Sequence, residues 1–394
     1  MTIEELKEEV LCELTGNILP YWMRKMTDHE NGGFYGCITG AEQLLPKADK
    51  GAILNCRILW TFSAAYRLFG KPEYLETATR AKEYILHYFY DKEFGGVYWS
   101  LDYKGNPLDT KKQIYALGFA LYGLSEYHRA TQDEEALDYA IRLFETIEKY
   151  SFDKDKNGYC EALDREWNEI GDMRLSEKDA NERKTMNTHL HILEPYTNLY
   201  RVWKDERLKQ QLHNLISIFT DRIMDPAGGH LQLFFDDDWN SKYNIYSYGH
   251  DIEASWLIHE AVVELNDKDL LERISPIVKR IAEAASEGFI FGKGMMYEKN
   301  VDCDHTDTDR HWWVQAEAVV GYLNLYQHFE DIRALAKAID CWTFIKDRLI
   351  DHTNGEWFWS VTEDGIVNHT DDKAGFWKCP YHNGRMCLEI IERF

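Results

Sequence analysis

The sequence predicts an all-α fold: an (α/α)6 barrel of six inner helices ringed by six outer ones, with short β-hairpins in the loops. Three observations carry the prediction. A Gly-aromatic turn recurs six times in the 394 residues, marked by Gly33, Gly96, Gly158, Gly229, Gly294 and Gly355 at intervals of 61 to 71 residues. Self-similarity at so steady a period is the mark of a repeat architecture. Between the turns, two kinds of helical pattern alternate, one amphipathic and one apolar nearly all round. Exposed and buried helices differ in this way.

The outer set precedes the turns, at roughly 3–26, 73–90, 133–149, 206–223, 268–286 and 331–349. In Glu134-Glu135-Ala136-Leu137-Asp138-Tyr139-Ala140-Ile141-Arg142-Leu143, charged and apolar positions alternate at helical period. The inner set follows the turns, at roughly 51–69, 110–129, 185–203, 247–265, 309–328 and 375–392. Tyr115-Ala116-Leu117-Gly118-Phe119-Ala120-Leu121-Tyr122-Gly123-Leu124 has no polar face, and Ala64, Ala65, Gly118, Gly123, Ala316 and Gly321 allow close helix packing. Each turn reads as a hairpin where an outer helix hands over to the next inner one. The N-termini of the six inner helices then converge at one mouth, where a site is expected. No Pro/Gly/Ser-rich linker interrupts the chain, so residues 1–394 read as one domain.

Composition narrows the function classes. A net charge of −23 repels nucleic acid and anionic membrane surfaces. The first residues, Met1-Thr2-Ile3-Glu4-Glu5-Leu6-Lys7-Glu8-Glu9, read as an acidic amphipathic helix, not a signal peptide. No apolar run reaches bilayer length. Eight scattered Cys without a CxxC pair are expected as reduced thiols in a cytoplasm. The 13 Trp and 24 Tyr exceed what a core needs, and such flat amphipathic rings suit a sugar-binding cleft.

The starts of the inner helices supply the candidate site. The first offers Arg57, a cation that is costly in an apolar helix unless it is paired or meets ligand oxygens. The second offers Tyr115. The third, Thr185-Met186-Asn187-Thr188-His189-Leu190-His191, places Asn187 and His191 on one face and turns His189 elsewhere, so this His-x-His is not expected to bind metal. In the fourth, Ser247-Tyr248-Gly249-His250-Asp251-Ile252-Glu253, the i, i+3 spacing puts the Glu253 carboxylate in reach of His250. The fifth pairs Trp313 with Glu317. The sixth follows Trp377, takes Pro380 as its start and carries His382 in its first turn. Three imidazoles in register, with no nucleophile motif and no phosphate-binding loop, point to proton transfer at a carbon acid: a sugar isomerase or epimerase. An inverting glycoside hydrolase on the same scaffold needs two carboxylates across a cleft, from Glu253 and Glu317 or from Asp172 and Asp304. A non-catalytic sugar-binding role would account for the aromatics but not for the histidines.

Four segments together resemble the cellobiose 2-epimerase family, within the N-acylglucosamine 2-epimerase superfamily. They are Asn187-Thr188-His189-Leu190-His191-Ile192-Leu193-Glu194, Tyr248-Gly249-His250-Asp251-Ile252-Glu253, Trp313-Val314-Gln315-Ala316-Glu317 and Trp377-Lys378-Cys379-Pro380-Tyr381-His382-Asn383-Gly384-Arg385. The resemblance implies reversible epimerisation at C2 of the reducing-end glucose of a β-1,4-linked disaccharide through a cis-enediolate, without metal or organic cofactor. It implies His382 and His250 as the proton-transfer pair, His191 as the group moving protons between O1 and O2, and Arg57 and Asn187 beside the enediolate. Tyr115, Glu253 and Trp377 would hold substrate, with Glu317, and Trp313 would stack on it. Relatives acting on mannose or N-acylglucosamine, and aldose–ketose isomerases, would share the histidines. Extra aromatics in Arg310-His311-Trp312-Trp313 and Gly375-Phe376-Trp377-Lys378 favour a disaccharide. A monomer with a small sugar as its partner is expected.

Overall fold

The computed structural model describes all residues, 1–394. Six inner helices form a closed ring: α3 (Ala52–Phe69), α5 (Ile114–Thr131), α7 (Met186–Val202), α9 (Tyr248–Leu265), α11 (Trp312–Phe329) and α13 (His382–Arg393). Each packs on the next, and α13 returns to α3. The outer helices are α1 (Ile3–Glu13) with α2 (Leu19–Lys25), α4 (Pro72–Tyr84), α6 (Glu134–Tyr150), α8 (Glu206–Ile218), α10 (Lys268–Ala285) and α12 (Ile332–Phe344). Each backs one inner helix, with α1 against α13, so the two ends of the chain pack together. The predicted alternation of buried and half-exposed helices is the observed one. α5 is buried over nearly its whole length, whereas α6 buries only Ala136, Ala140, Leu143, Phe144 and Ile147.

The Gly-aromatic turns lie where they are expected, after each outer helix. In five of them an Asp side chain opens the turn by accepting backbone N–H groups two or three residues on: Asp28, Asp91, Asp153, Asp225 and Asp351. The residue four on adopts positive φ: Gly32, Gly95, Asn157, Gly229 and Gly355, at 62° to 87°. That conformation is cheap only for Gly and tolerable for Asn, which is why the motif recurs. The structural register therefore sits one residue before Gly33, Gly96 and Gly158, the markers suggested by sequence.

Three helix starts differ from expectation. Lys112–Gln113 and Arg310–His311 pair in short strands just before α5 and α11, which begin only at Ile114 and Trp312. Residues 375–381 are not helical, and α13 begins only at His382. Pro380 has no N–H and disfavours helix at Cys379. Thr61 Oγ1 donates to the Pro380 carbonyl at 3.1 Å and Arg57 Nη1 to the Trp377 carbonyl at 3.4 Å, so the segment crosses the mouth and hangs Trp377 there.

Candidate active site

The mouth holds a cavity of about 460 Å³. Nine of the ten residues expected at the site line it: Arg57, Tyr115, Asn187, His191, His250, Glu253, Trp313, Trp377 and His382. All but Trp377 come from the first two turns of inner helices. Glu317, expected to touch substrate, is instead set behind His382 and does not reach the cavity.

The three histidines share one arrangement: each Nδ1 is engaged by the protein, which leaves Nε2 for the cavity. His382 Nδ1 lies 2.7 Å from Glu317 Oε1, His191 Nδ1 3.0 Å from Glu194 Oε2, and His250 Nδ1 2.8 Å from Ser247 Oγ. An ionised carboxylate only accepts, so at His382 and His191 the hydrogen sits on Nδ1 and Nε2 is the free base. His250 is not paired with Glu253 as the i, i+3 spacing suggests. Burial lowers all three imidazoles, helped at His250 by His191 and at His382 by Arg57 and Arg385; His250 is pushed down to about 3. They are neutral at pH 7, the state a base requires.

The local sequence explains the placement of His191. Pro195 cannot donate to its carbonyl, and α7 bends there, at φ −88° and ψ 15°. The freed carbonyl presses on Gly118, where a Cβ would come within 2.3 Å of it.

Beneath the histidines lies an ionic floor whose centre sequence reading missed. Arg385, fully buried, donates to Glu194, to Glu253 Oε1 at 2.5 Å and to Glu317 Oε1 at 2.6 Å, and it contacts the Tyr381 hydroxyl. Its signal was present in the sequence: a fixed cation inside a helix that has to close the ring. Burial raises the Glu253 carboxyl, and neighbouring Glu317 raises it further; Glu253 Oε2 has no protein partner. Burial would also raise Glu194, but Arg385 and His191 hold it below the usual range. Glu253, Glu317 and His382 come close enough to ligate one cation, and the Arg385 guanidinium already fills that role.

Opposite the floor, Arg57 makes no ion pair. Its Nη2 donates to Tyr115 Oη at 2.8 Å, its plane lies over Phe119 and Tyr381, and Nε has no partner. An unneutralised guanidinium at the cavity wall suits a developing oxyanion. Trp313 lies between the two outer histidines, its ring 4.7 Å from His250 and 5.6 Å from His382. His189 turns away, as its position on the helix predicts. Its Nδ1 donates to the Thr185 carbonyl and its Nε2 accepts from the Tyr159 N–H. Residues 175–179, an outer loop with no motif to mark it, cover one side of the cavity, with Tyr297, His311, Trp359 and Asp371 completing the rim. Asp172 is bound to Arg174 and Asp304 is exposed on a hairpin, both away from the cavity.

A closed helical barrel presents three neutral imidazoles and one guanidinium without an ion pair to a single cavity, an arrangement suited to proton transfer at a carbon acid. The chain belongs to the N-acylglucosamine 2-epimerase family, whose pattern it matches over residues 33–384. It is 69% identical to a cellobiose 2-epimerase of Bacteroides fragilis over 388 residues, 98% of this chain and 99% of that one. It is 43% identical to a cellobiose 2-epimerase of Ruminococcus albus, over 100% and 99% of the two chains. The solved cellobiose 2-epimerase of Bacillus thermoamylovorans superposes with a TM-score of 0.94 at 43% identity, covering 99% of this chain and 100% of that one. The protein is a carbohydrate epimerase.

Proposed function

We infer that this enzyme reversibly epimerises C2 of the reducing-end glucose of β-1,4-linked disaccharides, converting cellobiose to glucosyl-mannose and lactose to epilactose. The observation that carries the mechanism is the shared arrangement of three histidines, each held at Nδ1 so that Nε2 faces one cavity. In the open-chain sugar, Nε2 of one imidazole of the His250–His382 pair takes the C2 proton. The C–H electrons move into the C1 carbonyl and give a cis-enediolate. Arg57 and Asn187 face its oxygens, and His191 moves a proton between O1 and O2. After rotation about C2–C3 the other imidazole, having taken up a proton at Nε2 from solvent, delivers it to the opposite face, and the first releases the C2 proton to solvent, so the pair ends as it began. Trp313, between the pair, stacks on the reacting sugar; Tyr115 and Trp377 hold substrate, and the extra aromatics of residues 310–313 and 375–378 would serve a second ring, which favours a disaccharide over free mannose or N-acylglucosamine. Glu253 holds substrate, while Glu317 orients His382 and does not itself bind.

A hydrolase reading is not favoured. Glu253 and Glu317 share one guanidinium nitrogen, whereas an inverting pair stands about 6.5–9.5 Å apart across the substrate. We further propose a single-domain cytoplasmic monomer that needs no metal or cofactor. The net charge of −23 works against nucleic-acid and anionic-lipid partners, and no helix is long and apolar enough to cross a membrane.

Incubation with cellobiose or lactose in D2O is expected to yield the 2-epimer carrying deuterium at C2. Turnover of free mannose or N-acetylglucosamine with disaccharides untouched would overturn the substrate assignment, and release of free glucose would restore the hydrolase.

A further inference from the structure

Beneath the site three carboxyl groups meet one guanidinium, and their six oxygens are not used alike. Glu317 Oε1 accepts from His382 Nδ1 and from Arg385 Nη2, and its Oε2 accepts from Trp256 Nε1. Glu194 Oε2 accepts from His191 Nδ1, and its Oε1 accepts from Arg385 and from the Tyr381 hydroxyl. Glu253 Oε1 accepts from Arg385 Nη2 at 2.5 Å. Glu253 Oε2 alone has no partner, although it is buried and belongs to a residue that lines the cavity. Of the six oxygens it is the one that can carry a hydrogen with no donor already pointing at it. The charges call for a hydrogen there. Glu253 and Glu317 each give one oxygen to the same guanidinium nitrogen, too close for both to be ionised in so buried a place. Glu317, bonded by three donors, is the one that stays ionised, and Arg385 and His191 hold Glu194 below its ordinary value against burial. Burial raises the Glu253 carboxyl well above its ordinary value, Glu317 raises it further, Arg385 opposes them and Glu194 adds to the rise.

We propose that Glu253 is a neutral carboxylic acid in the working enzyme, its hydrogen on Oε2, and that it donates this hydrogen to an oxygen of the reacting sugar. The role toward the sugar rests on the epimerase reading above. The reaction builds negative charge on O1 and O2, which a third carboxylate in the cavity wall would oppose. A neutral acid in the same place adds a donor to the one that Arg57 supplies. The hydrogen stays on Glu253 throughout, so no bond to it forms or breaks, and the histidines keep the proton transfers. Arg385 sets the orientation: by holding Oε1 as an acceptor it leaves Oε2 as the donor. The remaining ionisable groups around Glu253 do not supply a counter-charge. His382, whose Nδ1 lies 3.9 Å from Oε1, is neutral, as are His191 and His250. Burial raises the Tyr115 and Tyr381 phenols, which stay protonated, and Arg57 bonds Tyr115 and not Glu253. One guanidinium thus keeps two carboxylates charged behind the bases and a third group neutral toward the sugar.

Glutamine copies a neutral acid and cannot copy a carboxylate. Glu253→Gln offers Arg385 the same carbonyl oxygen and the sugar an N–H in place of the O–H, and should lower kcat/KM for cellobiose by about tenfold. Glu253→Ala removes the donor and should lower it by about 10²–10³-fold. A loss in Glu253→Gln as large as that in Glu253→Ala, with native circular dichroism, overturns the proposal. The proton itself is read by infrared spectroscopy at about pH 8, where an ordinary carboxyl is ionised. The difference between wild type and Glu253→Gln is expected to contain one C=O stretching band of a protonated carboxyl. In the wild type alone that band should move to lower frequency when cellobiose is added, a reading that needs no variant to fold. Absence of the band, or a band indifferent to the sugar while cellobiose is being turned over, overturns the proposal. A wild-type enzyme that epimerises no sugar overturns the epimerase reading and the role toward the sugar with it. The band without sugar still decides the proton in that case, so the two failures are told apart.

Discussion

At the scale of the residue, the chemistry depends on which nitrogen carries the hydrogen. Glu317 accepts from His382 Nδ1 and from Trp256 Nε1 and also binds Arg385, so its carboxylate is spoken for on every side. Glu317→Gln keeps the size but can present an N–H to Nδ1, which moves the imidazole hydrogen to Nε2 and removes the base from the cavity. Loss of the correct tautomer alone costs about 10⁴-fold in kcat in an enzyme with a buried carboxylate–histidine pair. The same order is expected here, with KM little changed and native circular dichroism. A comparable rise in KM at normal kcat would place Glu317 among the substrate-binding residues after all. His382→Ala and His250→Ala are each expected to abolish turnover with the fold intact; loss of helical circular dichroism would make them core residues.

At the scale of the element, a second repeat holds the first in place. Just before α3, α5 and α7, a buried Lys reaches back to the Asp of the preceding turn: Lys50 to Asp28 at 2.8 Å, Lys112 to Asp91 at 2.9 Å and Lys184 to Asp153 at 3.2 Å. Lys373 binds Asp351 at 2.6 Å in the same way ahead of α13. These ties fix where each inner helix begins, and hence where the site residues of its first two turns point. Removing one partner of a buried pair leaves an uncompensated charge and costs about 3–5 kcal/mol. Lys50→Met should approach that figure in urea unfolding, because no other cationic side chain pairs with Asp28. Lys112→Met should cost less, because Arg165 still binds Asp91 at 2.9 Å. Equal losses would mean that the tie is not electrostatic. The barrel was legible in the sequence because its cause, Gly-aromatic turns and alternating apolar faces, is local and periodic. The mouth residues followed because helix starts can be read from turn chemistry. The Lys–Asp ties were not, since 21 to 31 residues separate the partners and nothing local marks them. Arg385 and the 175–179 loop escaped for related reasons: the carboxylates that give Arg385 its role come from three other helices, and the loop has no pattern of its own. The His250–Glu253 pairing failed because shared helix face is a weaker determinant than a buried guanidinium that claims the carboxylate.

At the scale of the whole molecule, two effects of acid oppose each other, and their sizes predict the pH dependence of stability. The surface carries a net charge of −23, so protonating carboxylates relieves repulsion and favours the folded state. Against this, the barrel buries neutral imidazoles. Burial pushes His189, His259 and His311 down to about 4 and His250 to about 3, and lowers His191 and His382 as well. In the unfolded chain each would titrate near 6.5. Below that value the unfolded state binds more protons, so the stability these groups contribute is present above pH 6.5 and is lost as the pH falls from 6.5 to about 4. Each contributes about 1.4 kcal/mol per pH unit across its window. Several acting together outweigh the diffuse surface relief, which salt screens. The urea midpoint is therefore expected to fall steeply between pH 6.5 and 4. His189 offers a way to count the protons, because its ring nitrogens bond only backbone groups: its Nδ1 donates to the Thr185 carbonyl and its Nε2 accepts from the Tyr159 N–H, so protonation at Nε2 must break the second bond. His189→Gln keeps a donor and an acceptor but cannot titrate, and should flatten the acid slope by about one proton. A midpoint that holds steady or rises on acidification would mean that surface repulsion dominates and that the buried imidazoles find protons without unfolding.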